Sequence, residues 1–336
     1  MKFDKILLGH GGGGKLTEEL LGSLLLPPLA NPVLDKLDDS AVFELGGATL
    51  AFTTDSYVID PLDFPGGDIG KLAVCGTVND LAMQGAVPKF LSLALIIEEG
   101  LSVDKLRQYI QSAADAAREA GVQIATGDTK VVDRGRGSGL YINTAGIGLR
   151  QPGIEVGADN AKPGDAIIVT GTMGDHGIAV MSCREGLKFE TEIVSDVAPL
   201  NEIAQIALDT VSELHCLRDP TRGGLTAALC DIAKKSAAGI RVKENAVPAK
   251  TQVKAACELL GLDVLNVANE GKAVVICPAR DAAALVAELR EHKLGADAAI
   301  VGEVLADHPG TVVLETPIGG ERILTPSPGE DLPRIC

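Results

Sequence analysis

The stretch PGGDIGKLAVCGTVNDLAMQGA, residues 65–86, constrains the fold of this chain more than any other. It reads as a helix over 66–86, entered through Gly66, Gly67 and Asp68. At about 100° per residue, Asp80 falls among Ile69, Leu72, Ala73 and Gly76, on the apolar face. An isolated carboxylate buried there costs several kcal/mol, so the fold must bring it a compensating charge. The small residues Ala73, Gly76, Ala82 and Gly85 allow a ligand or a second backbone to approach closely. A buried ion pair and a shared metal ion would each satisfy Asp80, and the helix alone does not choose between them.

Around this helix, apolar strands alternate with amphipathic helices. Strands are expected at 48–55, 89–97, 122–128 and 140–149, and helices at 15–26, ending at Pro27–Pro28, and at 102–121. Ser102 and Gly121 supply the cap residues of the latter. Beyond the Gly/Pro/Asp-rich stretch 151–165, a second series begins with a strand at 166–171. Helices follow around 175–185, 199–213, 223–237, 250–260 and 281–291, with strands near 273–277 and 299–305. The pattern is α/β, and 336 residues suffice for two domains with separate cores, expected over 1–155 and 156–315. Residues 316–336 carry Pro317, Pro326, Pro328 and Pro333 with Gly319, Gly320 and Gly329. They are expected to form no regular helix and to end as a mobile tail bearing a terminal thiol, Cys336.

Charge narrows the chemistry. A net charge of −16 repels nucleic-acid backbones, and with 3% aromatics and no Trp there is little to stack bases on. The longest apolar run, about seven residues, is far short of the ~20 a membrane span requires. The N-terminus carries no apolar leader, so a cytoplasmic location with reduced cysteines is expected. The seven Cys are odd in number and form no C-x-x-C pair, which suggests neither a disulfide framework nor a zinc ribbon. An acidic protein that handles phosphates must use divalent cations, backbone amides or a few local Lys and Arg.

Several motifs fit that requirement. GHGGGGKLT (9–17) approaches a phosphate-binding loop, but Leu16 stands where a metal-binding hydroxyl is needed and Thr17 comes one place late. A glycine loop folded over a ligand, with Lys15 at its exit, is the better reading. Asp38 and Asp39 precede a strand, and Asp55 and Asp128 each close one, where ligands of open α/β sheets gather. With Asp80 they form an oxygen-only set suited to Mg²⁺ bridging nucleotide phosphates. DPTRGGL (219–225) offers Thr221, Arg222 and backbone amides at a helix start, either as an anion site or as a plain cap. NEGKAV (269–274) places Glu270 at a turn before a strand.

Together with TGDTKVV (126–132), NEGK and the terminal PRIC, these motifs resemble the HypE hydrogenase maturation factors. Those are carbamoyl dehydratases of the aminoimidazole ribonucleotide synthetase-like ATP-binding superfamily. The resemblance runs from the glycine-rich start to the last residue, and PRIC sets the chain apart from thiamine monophosphate kinase and selenophosphate synthetase. It implies a two-domain fold whose N-terminal domain dimerises and binds ATP through Mg²⁺. It also implies that a carbamoyltransferase, HypF, loads Cys336, and that ATP then drives dehydration of the thiocarboxamide to a thiocyanate. The cyano group would pass to iron held by the HypC–HypD complex, as a ligand of a [NiFe] centre. On this reading Asp38, Asp39, Asp55, Asp80 and Asp128 hold metal and phosphate, and Lys15, Thr54, Asn79 and Gly127 line the nucleotide site. Lys130 polarises the amide or phosphate, Glu270 is the base, and Arg334 docks the tail. A superfamily kinase or synthetase with an inert Cys336, and a scaffold whose thiol only chelates metal, are the competing readings.

Overall fold

The computed structural model describes residues 4–186, 193–327 and 334–336. The chain opens with a helical segment: α1 (Lys15–Leu20), a π-helical turn (Leu21–Leu25) and α2 (Leu26–Leu29). The expected stop at Pro27–Pro28 is passed because both prolines sit in the first turn of α2, where a missing N–H costs nothing.

The first sheet uses β1 (Ala41–Leu45), β2 (Ala48–Tyr57), β5 (Ala86–Glu98), β6 (Gln123–Val132) and β7 (Leu140–Arg150) in the order β1-β2-β7-β5-β6. A two-stranded pair, β3 (Asp63–Phe64) and β4 (Gly67–Asp68), precedes helix α3 (Ile69–Met83). Only β5 and β6 pair in parallel, and α4 (Val103–Ala120) makes their crossover. The helix expected from residue 66 begins at Ile69 because Gly67 and Asp68 are spent on β4. Asp68 Oδ1 accepts hydrogen bonds from the backbone N of Gly70 (2.9 Å) and Lys71 (3.0 Å). Its Oδ2 accepts from Ser112 Oγ of α4 at 2.6 Å.

Every residue of α3 is buried except Lys71 and Asp80. The sequence pointed to one apolar face, but this helix is enclosed on all sides: β2, β5 and β7 pack on it from one domain, and α6 (Asn201–Thr210) of the other covers it. Gly76 is required here, since a Cβ would lie 2.2 Å from the Tyr57 hydroxyl.

The second sheet is built from β8 (Asp165–Val169), β9 (Cys216–Arg218), β10 (Gly239–Lys243), β11 (Val274–Pro278), β12 (Ala299–Leu305), β13 (Val312–Glu315) and β14 (Glu321–Leu324). Its order is β14-β13-β10-β12-β8-β11-β9, antiparallel except for β10 beside β13. Helices α5 (Asp175–Arg184), α6 (Asn201–Thr210), α7 (Gly224–Ser236), α8 (Thr251–Leu260) and α9 (Ala279–Glu291) complete the domain. The tail expected from residue 316 starts later. Residues 316–320 form the turn of a hairpin, with Gly319 at φ 83°, and β14 closes the sheet edge. Residues 334–336 are docked against the first domain, while the intervening 328–333, including Pro333 of the PRIC motif, lie outside the described residues.

Asp68→Ala removes the cap of α3 and leaves Ser112 unpartnered. It is expected to lower stability by about 1–2 kcal/mol, seen as a lower urea midpoint at unchanged slope.

Candidate active site

A cleft of about 1240 Å³ opens between the two domains. Four elements deliver its acids: Asp39 just ahead of β1, Asp55 on β2, Asp80 on the last turns of α3, and Asp219 directly after β9. Glu270, on the turn before β11, joins them and is 2% exposed. Carboxylate oxygens of Asp39, Asp80 and Asp219 lie within 4.8 Å of one another. The Thr53 hydroxyl donates to Asp80 Oδ2 at 2.7 Å, which fixes the carboxylate toward the cleft. Beyond Asp219 the chain turns sharply into α7 through Gly223 (φ 67°) and Gly224 (φ 60°). A Cβ on Gly224 would lie 2.6 Å from the carbonyl oxygens of both Leu265 and Val267.

The cations present do not balance these acids. Arg218 Nε reaches Asp39 Oδ1 at 3.1 Å, but its Nη1 also serves Asp231 at 3.2 Å. Lys235 holds Asp38 at 3.0 Å. Asp39 Oδ2 and Asp219 Oδ2 are buried without a hydrogen-bond partner. Burial pushes the Asp39 carboxyl up to about 6, against the pull of Arg218, with Asp38 adding to the rise. Burial, then the Asp39 charge, push Asp219 up to about 8. Asp80 is held well above the usual carboxylate range by burial, then by Asp55, Asp219 and Asp39. Glu270 is held there too, by burial and then by Asp219. Asp55 is raised by burial, partly offset by Arg222. Arg222, although buried, is kept firmly cationic by the charges on Cys336, Asp55, Asp80 and Asp219. Orphaned, oxygen-only, mutually repelling donors fit a hard divalent cation, which would take the place of the protons they otherwise retain.

The C-terminus lies on the wall of the same cleft. The backbone N of Val58 donates to Cys336 O at 3.1 Å and that of Asp60 to Arg334 O at 3.2 Å. Arg334 Nε donates to Val58 O at 2.8 Å, so the side chain meets backbone just past β2, beside Asp60, where pairing with phosphate or an acidic cleft was expected. Cys336 lines the cleft with Asp55, Arg222 and Glu270, and a smaller adjoining cavity of about 170 Å³ with Gly11–Gly14. Gly13 has φ +78°, and a Cβ there would be 2.7 Å from Arg222 Cβ, so the glycine loop folds directly over this arginine. Its N–H donates to Thr17 Oγ1 at 2.9 Å, which turns that hydroxyl toward its own loop.

Asp38, Asp39, Asp55, Asp80, Glu270, Lys15, Thr54 and Cys336 are thus brought to one cleft, with Thr54 Oγ1 donating to Thr144 O at 2.8 Å. Four expected residues are not. Gly127, Asp128 and Lys130 lie on β6, exposed along its length, and Lys130 Nζ pairs with Asp128 Oδ2 at 2.6 Å. The reason is topological: β6 is an edge strand separated from β2 by β5 and β7, about 14 Å at the usual strand spacing. Asn79 is wholly buried instead. Its Nδ2 donates to Ala198 O (3.1 Å) and Glu270 O (3.3 Å), and its Oδ1 accepts from Leu200 N (2.7 Å). Asn79 therefore clamps the Glu270 turn to α3 rather than facing a nucleotide. Asp219 and Arg218 were missed as site residues. The available signal was an aspartate closing an apolar stretch, the pattern that picked out Asp55.

Carboxyls raised by folding bind extra protons in the folded state, so stability falls as pH climbs through their folded values. The metal-free protein should therefore lose stability as pH rises above the ordinary value of 3.8, up to about 6 for Asp39 and about 8 for Asp219. Added Mg²⁺ should raise Tm more at pH 8 than at pH 6, and Asp80→Asn should shrink that gain, in thermal melts with and without the ion.

Residues 37–150 match the N-terminal domain of AIR synthase related proteins, and residues 162–315 match their C-terminal domain. A carbamoyl dehydratase HypE of Azotobacter vinelandii is 49% identical over 327 residues, covering 97% of this chain and 96% of its own. A solved HypE in complex with ATP superposes with a TM-score of 0.83 at 48% identity, over 99% of this chain and 100% of that one. The HypE–HypF complex contains a chain with a TM-score of 0.87 at 46% identity, over 94% of this chain and 100% of that one. With this similarity spanning both domains, the chain belongs to the HypE family of hydrogenase maturation proteins.

Proposed function

We propose that this protein is an ATP-dependent carbamoyl dehydratase acting on its own last residue, converting a Cys336 S-carboxamide to an S-cyanate. The observation that carries this reading is the docking of Cys336 on the wall of the cleft that holds Asp39, Asp80, Asp219 and Glu270. The relatives are named for that activity, and one of them is solved with ATP.

An amide oxygen leaves poorly. Transfer of the γ-phosphoryl group of ATP to it releases ADP and, with loss of one N–H proton, gives a phosphorylated imidate. Expulsion of phosphate with loss of the second N–H proton completes the C≡N bond, so that ATP and Cys–S–CO–NH₂ become ADP, phosphate and Cys–S–C≡N. Mg²⁺ held by Asp39, Asp80 and Asp219, beside Asp55, would neutralise phosphate charge. Arg222 stabilises the anionic oxygen next to Cys336, as positioning and charge complementarity govern phosphoryl transfer. Glu270 takes the N–H protons, its raised pKa making the ionised carboxylate a stronger base.

The proposal extends to partners. HypF, seen with a relative, supplies the carbamoyl group, and a HypC–HypD iron complex receives the cyano group. A homodimer formed through exposed β6, with Ile124 and Val131 facing outward, gives Asp128 and Lys130 access to a second copy's reaction. The seven cysteines, none of them in a disulfide, fit a reducing cytoplasm. No described helix is long and apolar enough to cross a membrane.

Intact-mass measurement with HypF, carbamoyl phosphate and ATP tests the reading. A carbamoyl increment that loses one water on ATP addition, and is absent in Cys336→Ala, supports it. Glu270→Gln should carry the increment but lose water at least ~100-fold more slowly, and Lys130→Ala should also slow the loss. Iron binding without ATP and without any covalent adduct would overturn the dehydratase.

A further inference from the structure

The docked terminus leans on a buried histidine that the chemistry above does not use. His176, in the first turn of α5, is 0% exposed and packs edge-on against Phe64 at 5.3 Å. Its Nδ1 lies 2.8 Å from Ser195 Oγ, and its Nε2 lies 3.0 Å from Ile335 O. The carbonyl of Ile335 can only accept, so Nε2 carries the hydrogen. Ser195 Oγ already accepts from Val197 N at 3.1 Å, and its own hydrogen points to the Nδ1 lone pair. The Ile335 carbonyl thereby sets the tautomer, and Ser195 satisfies the ring's other nitrogen.

The position of this contact matters. The carbonyls of Arg334 and Cys336 are taken by the backbone N–H groups of Asp60 and Val58. The Ile335 carbonyl between them takes neither of those donors, the backbone having turned at Arg334 (φ 55°). Among the described residues no backbone N–H of segment 58–60 bonds to it, and His176 meets it from the second domain. The Ile335 side chain is buried to 4% exposure, so the tripeptide is held on both edges. The residue after Ser195 performs the matching task for the base: Asp196 Oδ1 accepts from Glu270 N at 3.0 Å. Adjacent residues thus orient the group that holds the thiol's chain and the group assigned to remove its protons.

We propose that His176, oriented by Ser195 and donating from Nε2 to the Ile335 carbonyl, is the positioning residue that latches the C-terminal cysteine inside the cleft. Its catalytic consequence rests on the dehydratase reading, whereas the latch itself does not.

Two substitutions separate contact from bulk. His176→Gln keeps a donor where Nε2 stood, and His176→Phe keeps a ring and loses the donor. Alkylation of Cys336 by iodoacetamide, followed by peptide mass, reads the docked state without any reaction. The Phe variant should label about five- to tenfold faster than wild type, the size of one buried hydrogen bond, and the Gln variant within about twofold. In single turnovers the Phe variant should lose water from the carbamoylated thiol more slowly by a similar factor, while accepting the carbamoyl group from HypF undiminished. Wild-type labelling in a Phe variant with an unchanged melt would overturn the latch, as would equal acceleration by Phe and Gln. Should the Phe variant fail to fold, Ser195→Ala decides: faster labelling, by about two- to threefold, supports the latch, and an unchanged rate refutes it. Faster labelling in a protein whose wild type never loses water would sink the dehydratase reading alone and leave the latch supported.

Discussion

The structure is organised around the cost of crowding carboxylates where water is scarce. Asp39, Asp80 and Asp219 come from three separate elements and meet within 4.8 Å, with Asp55 and Glu270 adding to the repulsion. Arg218 is shared with Asp231, and Lys235 is taken by Asp38, so neither neutralises the cluster. Retained protons meet that cost in the metal-free protein, a divalent cation is suited to replace them, and the surrounding features leave room for a ligand. Glycine at position 76 lets Tyr57 stand against α3, where its phenol donates to Asp55 at 3.2 Å. Glycines beyond Asp219 turn Arg222 into the cleft, and a third set, Gly11–Gly14, lies over that arginine without side chains to block a ligand.

How much of this the sequence carried depended on whether the signal was local. Asp80 was legible because helical periodicity puts a residue on a face without knowledge of the partner. The alternation of strands and helices, and the motifs shared with a family, gave the two-domain arrangement. Asp128 and Asp55 look alike in sequence, each closing an apolar run, yet one reaches the cleft and the other does not. The difference is strand order, with β6 at an edge and β2 next to β1, and no short window encodes that. Asp219 was overlooked because its motif was read for the anion-binding groups that follow it.

Long-range contacts were invisible for the same reason. The short strands β9, β10, β13 and β14 acquire their identity from neighbours in the sheet, and proline and glycine after 316 argued against a helix without revealing a hairpin. His176 and Ile335 are 159 residues apart, and nothing near His176 marks it as a partner of the terminus.

Asn79 carries a consequence for how the cleft can open. It sits one residue before Asp80 and grips the backbone of Glu270, Ala198 and Leu200 from the opposite domain. Parting the domains would strand a fully buried amide and three hydrogen bonds, each worth about 1–3 kcal/mol when left unmade. The spacing between the Asp39, Asp80 and Asp219 cluster and Glu270 is therefore held by this clamp. Traffic must pass at the rim instead, where the glycine loop and the terminal tripeptide meet.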